Sequence, residues 1–122
     1  MRIVKRLLWS IPAVSKLAGP LEDFVITTVA AAGSNSSTAA ALTTAHITTV
    51  TASDGSKGVK LPTGVATGDT LIVVNTVANQ TLKVYPPSGK KINGGSDDAA
   101  LVLLASQAGY FTAVGSGNFV GA

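Results

Sequence analysis

GVKLPTGVATGDTLIVVNTVANQTLKVYPPSGKKINGG, residues 58–95, carries the strongest strand and turn signals in the chain. It holds two runs, 70–76 and 81–85, rich in Val, Ile, Leu, Thr and Tyr and bounded by Gly, Pro, Asn and Asp. β-branched and aromatic side chains suit a pleated, half-buried surface, and the flanking residues supply turn geometry. The two runs are expected to pair through residues 77–80. That places Lys83 and Tyr85 on one face of the second run and Leu82 and Val84 on the other. Pro86 and Pro87 stop this run, because neither can donate a ladder hydrogen bond. Nothing in the stretch cradles a phosphate, binds a metal or activates a nucleophile. Organisation without visible chemistry points to a structural or binding role.

Working outward, residues 24–30 (FVITTVA) and 46–51 (HITTVT) predict two more strands, separated by a small polar loop at 31–38 and an ambiguous Ala-rich piece at 39–44. In SDGSKG, residues 53–58, the Asp54-Gly55 pair is a hairpin signal. Residues 59–62 form a short extended piece that Pro62 assigns to an edge or an end. Residues 90–95 are a connector with a turn at Asn93-Gly94. Residues 99–105 and 110–114 are expected to form a last pair, and Phe119 and Val120 to add a final edge. Six or seven short strands with frequent turn signals predict an all-β fold, a small antiparallel β-sandwich or barrel of jelly-roll-like type. It is preceded by an N-terminal arm with a short helix, giving an arm at 1–20 and a β-rich domain at 21–122. No fixed-period repeat is evident, which argues against a solenoid.

The chain has 122 residues, enough for one domain plus an arm. Hydrophobic residues make up 46% and charged residues only 12%, about half the usual charged share. Surplus apolar surface of this kind ends in an interface. An obligate oligomer or a subunit of a larger assembly is therefore expected. The net charge of +3 is unevenly spread. Arg2, Lys5, Arg6 and Lys16 precede the first acid, Glu22, whereas the rest of the chain carries five lysines against six acids. That body is no basic surface for tracking nucleic acid. Without cysteine there is no disulfide, no thiolate catalysis and no Cys-based zinc site. No apolar run approaches the ~20 residues that span a bilayer.

MRIVKRLLWSIPAVSKLAG, residues 1–19, has two readings. A basic start, a short apolar stretch and small residues near Ala13–Ser15 or Ala18–Gly19 fit a signal peptide. Pro12 and Lys16 break that pattern. Alternatively, Val4, Leu7, Leu8 and Ile11 fall at helical spacing, with Arg2, Lys5, Arg6 and Trp9 toward the other side and Pro12 ending the helix. Two or three turns are marginal in water, so such an arm must dock on its own body or on a neighbour. The alternatives are a helix that merely fills the core and a basic helix lying on an anionic membrane.

Catalytic and metal patterns are thin. His46 is the only histidine. Paired with Asp54 it is the best enzymatic candidate, yet no nucleophile elbow accompanies it. Asp97 and Asp98 point to opposite faces of an extended segment and make a poor acid–base pair. NGGSDD, residues 93–98, has oxygen ligands but lacks the spacing and terminal Glu of an EF-hand loop. GSGNFVG, residues 115–121, has its third Gly one position late for a dinucleotide fingerprint and no helix after it. Asn35-Ser36-Ser37 and Asn79-Gln80-Thr81 match the glycosylation acceptor, which matters only on a eukaryotic secretory route. Tyr85 and Tyr110 could form an aromatic platform for a sugar; cross-strand packing is their ordinary use. No catalytic, cofactor or metal residue is assigned.

One further signal lies in the order of motifs. Gly58-Val59-Lys60-Leu61-Pro62, Gly68-Asp69, Val73-Val74-Asn75, Leu82-Lys83-Val84-Tyr85-Pro86-Pro87-Ser88-Gly89 and Ile92-Asn93-Gly94 follow one another in a way that resembles small β-rich virion proteins of tailed bacteriophages. These are capsid decoration (cement) proteins, head fibres and related structural proteins. The resemblance covers roughly residues 40–115 and leaves the arm outside it. It implies a structural, non-enzymatic role on the capsid exterior for a chain made in the host bacterial cytoplasm, with the major capsid protein as partner and neither nucleic acid, membrane nor cofactor involved. Symmetric self-association, as a trimer around a local threefold point, would bury the apolar excess. In this reading Leu7, Leu8 and Trp9 dock the arm on a neighbouring or capsid subunit, and Arg2, Lys5 and Arg6 meet acidic patches there. The alternative is a fibre or tail module that binds a host receptor or glycan through Tyr85 and Tyr110.

Overall fold

The computed structural model describes residues 25–122. The arm, its expected helix and the docking residues Arg2, Lys5, Arg6, Leu7, Leu8 and Trp9 lie outside the described residues. The rest is all-β: β1 (Ile26–Ala30), β2 (Ala40–Ala41), β3 (Ile47–Thr51), β4 (Gly58–Lys60), β5 (Thr70–Asn75), β6 (Leu82–Tyr85), β7 (Leu101–Leu103), β8 (Ala108–Gly115) and β9 (Asn118–Gly121). They form two open sheets, one in the order β1-β3-β5-β8-β9 and the other β2-β4-β6-β7, so no barrel closes.

Pairing is where expectation and structure part. The sheets are mixed, not antiparallel. β1, β3 and β5 run parallel, as do β2, β4 and β6, and only the pairings of β7, β8 and β9 are antiparallel. The expected hairpin of 70–76 with 81–85 does not form, because β5 and β6 belong to different sheets. The same holds for the last expected pair, now β7 and β8, and for the strands flanking Asp54-Gly55. The first six strands alternate between the sheets and so wind three successive coils. Ile26 pairs with Ile47 and Ile47 with Ile72, steps of 21 and 25 residues. Ala40 pairs with Val59 and Gly58 with Lys83, steps of 19 and 25. The uneven step hides the coiling from a search for a fixed period. Period-2 alternation cannot discriminate either: a hairpin and a crossover both turn one apolar side of each strand inward.

Inward residues of both sheets make one buried cluster: Val50, Leu71, Val73, Phe111 and Phe119 from the first, Val59, Leu82, Val84 and Leu103 from the second. Leu82 and Val84 are inward, as the alternation predicts. Tyr85 is not on an open face, however, and is only 7% exposed. Its ring lies over Gly58, where an added Cβ would come within 2.8 Å of Cε2, and its hydroxyl donates to Ser34 O at 3.2 Å. β9 supplies the expected final edge. GSGNFVG is the β8–β9 hairpin, with Gly115 opposite Asn118.

Local turns follow their chemistry. Asn93-Gly94 turns with left-handed backbone at both residues, as expected for that pair. Asp54 accepts hydrogen bonds at Oδ1 from Lys57 N (2.9 Å), Ser56 Oγ (2.8 Å) and Ser56 N (3.0 Å). Those donors, led by the Lys57 amide, favour the carboxylate and hold the Asp54 pKa below its ordinary value of 3.8. A depressed folded-state pKa adds stability above the unfolded value and loses it as pH falls through the folded one. The difference in urea midpoint between wild type and Asp54→Ala is therefore expected to be constant above about pH 5 and to shrink in more acidic buffer. Denaturation curves across that range check it, and a difference that grows on acidification would contradict it.

Candidate interaction surface

The outward side of the first sheet is its most unusual surface. No strand of this sheet contains a charged residue. Registered pairings align Ile26, Ile47, Ile72 and Tyr110 in one row across four strands. Thr28, Thr49, Val74 and Ala108 form the next row, and Thr70, Thr112 and Val120 a third. Ile26 is 62% and Tyr110 57% exposed, and Val114 and Val120 are also exposed. Five strands about 4.8 Å apart and about 17 Å long give an area on the order of 400 Å². Apolar patches of a few hundred Å² on a monomer are often functional, and here the apolar residues are interleaved with threonines.

Four threonine hydroxyls on this face already have partners. Thr28 and Thr49 share a hydrogen bond of 2.8 Å, and so do Thr70 and Thr112. Thr49 Oγ1 also lies 3.3 Å from Thr27 O. Removing water from a hydroxyl is costly only when its hydrogen bonds are lost with it. Covering this face thus removes apolar area from water without orphaning those pairs. The second sheet differs, since Lys60 and Lys83 lie on its strands.

The other residues weighed from the sequence take the following positions. His46 and Asp54 sit before and after β3, at opposite ends of the strand. His46 Nδ1 accepts a hydrogen bond from Val25 N at 3.1 Å, which fixes the start of β1. A hollow of about 330 Å³ places His46 near Thr44, Asp69 and Thr70. Another of about 400 Å³ is lined by Thr43, Lys60, Pro62 and Ser88 among others. Among the described residues no three His, Asp or Glu side chains converge to hold a metal. Asp98 Oδ1 accepts Gly89 N at 2.7 Å and Ser36 Oγ at 3.5 Å, stapling the Pro86–Gly89 turn, while Asp97 lies 3.9 Å from Lys91 Nζ. Tyr85 and Tyr110 occupy different sheets, and only Tyr110 is exposed, so the paired aromatic platform does not exist.

Sequence reading missed the uncharged face, although the signal was present. Ile-Thr-Thr-Val occurs at 26–29 and again at 47–50, and the two copies lie side by side in register. An identical segment paired with itself in parallel stacks like on like, which charged residues do not tolerate. Comparison with protein-family models, with curated proteins and with solved structures returned no match.

Proposed function

We propose that this chain is a self-associating structural protein of the capsid-decoration type, a cement protein that binds and stabilises a phage shell from outside. The observation that carries the reading is the charge-free outer face of the five-stranded sheet, with its apolar row and internally paired hydroxyls. Such a face is stable in water only at a cost, and a second protein surface removes that cost. The two sheets pack as a sandwich, with this face directed at a neighbouring copy. A trimer around a local threefold point is the assembly in this reading, and multipoint attachment supplies avidity from modest single contacts. The arm provides the grip on the major capsid protein, with Arg2, Lys5 and Arg6 toward acidic patches. A glycan- or receptor-binding fibre module is the weaker reading, because it retains Tyr110 without Tyr85.

Mass measurement in solution, followed by cosedimentation with shells of the encoding virus, tests the proposal. Wild type is expected to run as a trimer and to pellet with shells. Ile72→Lys combined with Tyr110→Lys should run as a monomer at the same concentration, because each copy would bring two uncompensated charges into the contact. A wild-type chain that stays a single copy at micromolar concentration and ignores shells would sink the reading.

A further inference from the structure

The outer edge of β9 is held by a short strap. Ile92 bridges Phe119 in parallel along that edge. Phe119 N donates to Lys91 O at 3.0 Å, Asn93 N donates to Phe119 O at 2.9 Å, and Lys91 N donates to Asn118 Oδ1 at 3.0 Å. Ile92 and Phe119 are both buried. The last tie comes from a side chain. Asn93 Nδ2 donates to Gly121 O at 2.8 Å, and Asn93 Oδ1 accepts Gly121 N at 2.9 Å. The Asn93 amide does for Gly121 what the backbone of a further strand would do.

The same residue carries a chemical liability. The chain has five asparagines, Asn35, Asn75, Asn79, Asn93 and Asn118, and only Asn93 is followed by glycine. An asparagine side chain can be attacked at Cγ by the backbone nitrogen of the next residue. A following glycine leaves that nitrogen unshielded, because it has no Cβ. Gly94 has room around it, since an added Cβ would meet nothing within 4 Å. Asn93 and Gly94 both have left-handed backbone, with φ of 56° and 68°, and both are exposed to water. Nucleophile, electrophile and water therefore meet at one turn. The clasp on Gly121 opposes the reaction. Attack makes the planar Cγ tetrahedral, and the nitrogen that must leave is the one that donates to Gly121 O.

We propose that Asn93 is a self-modification site, held unreacted by its clasp on Gly121 and converted to aspartate or isoaspartate when β9 opens locally. In the first step Gly94 N gives up its proton and bonds to Asn93 Cγ. The Cγ–Nδ2 bond breaks, and ammonia leaves behind a succinimide ring. Water then adds to either ring carbonyl, and the bond from that carbon to the nitrogen breaks. Opening at Cγ gives aspartate. Opening at the main-chain carbonyl gives isoaspartate, with the chain now running through Cγ. Nothing is oxidised or reduced.

Both products undo the clasp. Aspartate keeps an acceptor for Gly121 N but sets its other oxygen against Gly121 O, two acceptors with no proton between them. Isoaspartate takes Cγ into the main chain and leaves no side-chain amide to pair with Gly121. Either way β9 loses its tie at Gly121, the residue whose missing Cβ admits the Phe111 ring. The change runs one way, so it accumulates with the age of each copy. It does not depend on the decoration reading, which is decided by the mass of the Ile72→Lys, Tyr110→Lys variant.

Peptide mass mapping tests the proposal on the full chain, incubated at neutral pH either folded in buffer or unfolded in urea. Conversion at Asn93 is expected in both, slower in the folded protein by roughly tenfold or more, because only the locally open fraction reacts. Deleting Gly121 and Ala122 removes both partners of the amide and should raise the folded rate toward the unfolded one. Gly94→Ala should slow conversion even in urea, because its methyl group shields the nitrogen. Asn93→Asp reports the consequence: amide exchange in β9 should quicken by roughly tenfold or more, with β1 and β3 as in wild type. Should the deletion fail to fold, the wild-type comparison and the Asp variant still decide. Equal rates in the folded and unfolded chain overturn the proposal, as does a folded chain that never converts. So does wild-type protection of β9 in the Asp variant.

Discussion

Asn75→Asp is expected to be among the most damaging single substitutions in the described fold, costing about 3–5 kcal/mol at neutral pH. Asn75 is fully buried, at 0% exposure. Its Nδ2 donates to Gln80 O at 2.7 Å and to Leu104 O at 3.1 Å, while its Oδ1 accepts Ser53 Oγ at 2.8 Å and Val77 N at 3.3 Å. The partners fix which atom is which, because two carbonyls can only accept and one backbone N–H can only donate. All four bonds meet where β5 ends and the chain leaves one sheet for the other. A carboxylate there keeps the two donors but turns an oxygen toward two carbonyl oxygens, and a buried charge results with too little compensation. Out of a total on the order of 5–15 kcal/mol, that loss threatens folding itself. Acidification should restore part of it, since the protonated acid is neutral and can donate once. Asn75→Leu, which removes every bond at similar size, should cost about 3 kcal/mol through orphaned partners and show no such pH response. Urea unfolding at neutral and mildly acidic pH separates the two. Wild-type stability in the Asp variant would refute the crossover role.

Phe111→Ala should cost about 3–5 kcal/mol, through lost transfer energy and the cavity left behind. Phe111 is 0% exposed, on the inward side of β8, within the cluster shared by both sheets. Gly121 on the neighbouring strand is what admits its ring, because a Cβ there would collide with Phe111 Cδ1. Neighbouring side chains thus have little slack to collapse into the gap. Tyr110→Ala, one residue away but outward, should change the stability of the dissociated chain by no more than about 0.5 kcal/mol. If the proposed self-association holds, its effect falls instead on the mass of the particle in solution. Thermal melts below the association concentration check both, and similar losses at the two positions would contradict the inward–outward assignment.

The strands themselves were readable because their causes are local. Runs of Val, Ile, Thr and Tyr mark β1, β3, β5, β6 and β8, and Pro86 and Asn93-Gly94 act within a few residues of where they stand. Leu82 and Val84 point inward as the period of two demands. Tyr85 escaped the same logic. What covers it is the missing side chain of Gly58, a residue from another coil. The candidate face was half legible: its lack of charge is written in the composition of the strands, but its continuity is not. Ile26, Ile47, Ile72 and Tyr110 become one row only when four distant segments are set side by side.

Local sequence signals alone were enough to show that this chain folds as β-structure and roughly where most of its strands lie. Which strand lies beside which, the mixed rather than antiparallel sheets and the alignment of Ile26, Ile47, Ile72 and Tyr110 in one row all come from contacts between distant segments. The physical reason is range. Strand propensity and turn geometry act over a few residues, whereas pairing is chosen by burial and hydrogen bonding between segments some 20 residues apart, as Asn75 shows by tying Gln80 to Leu104.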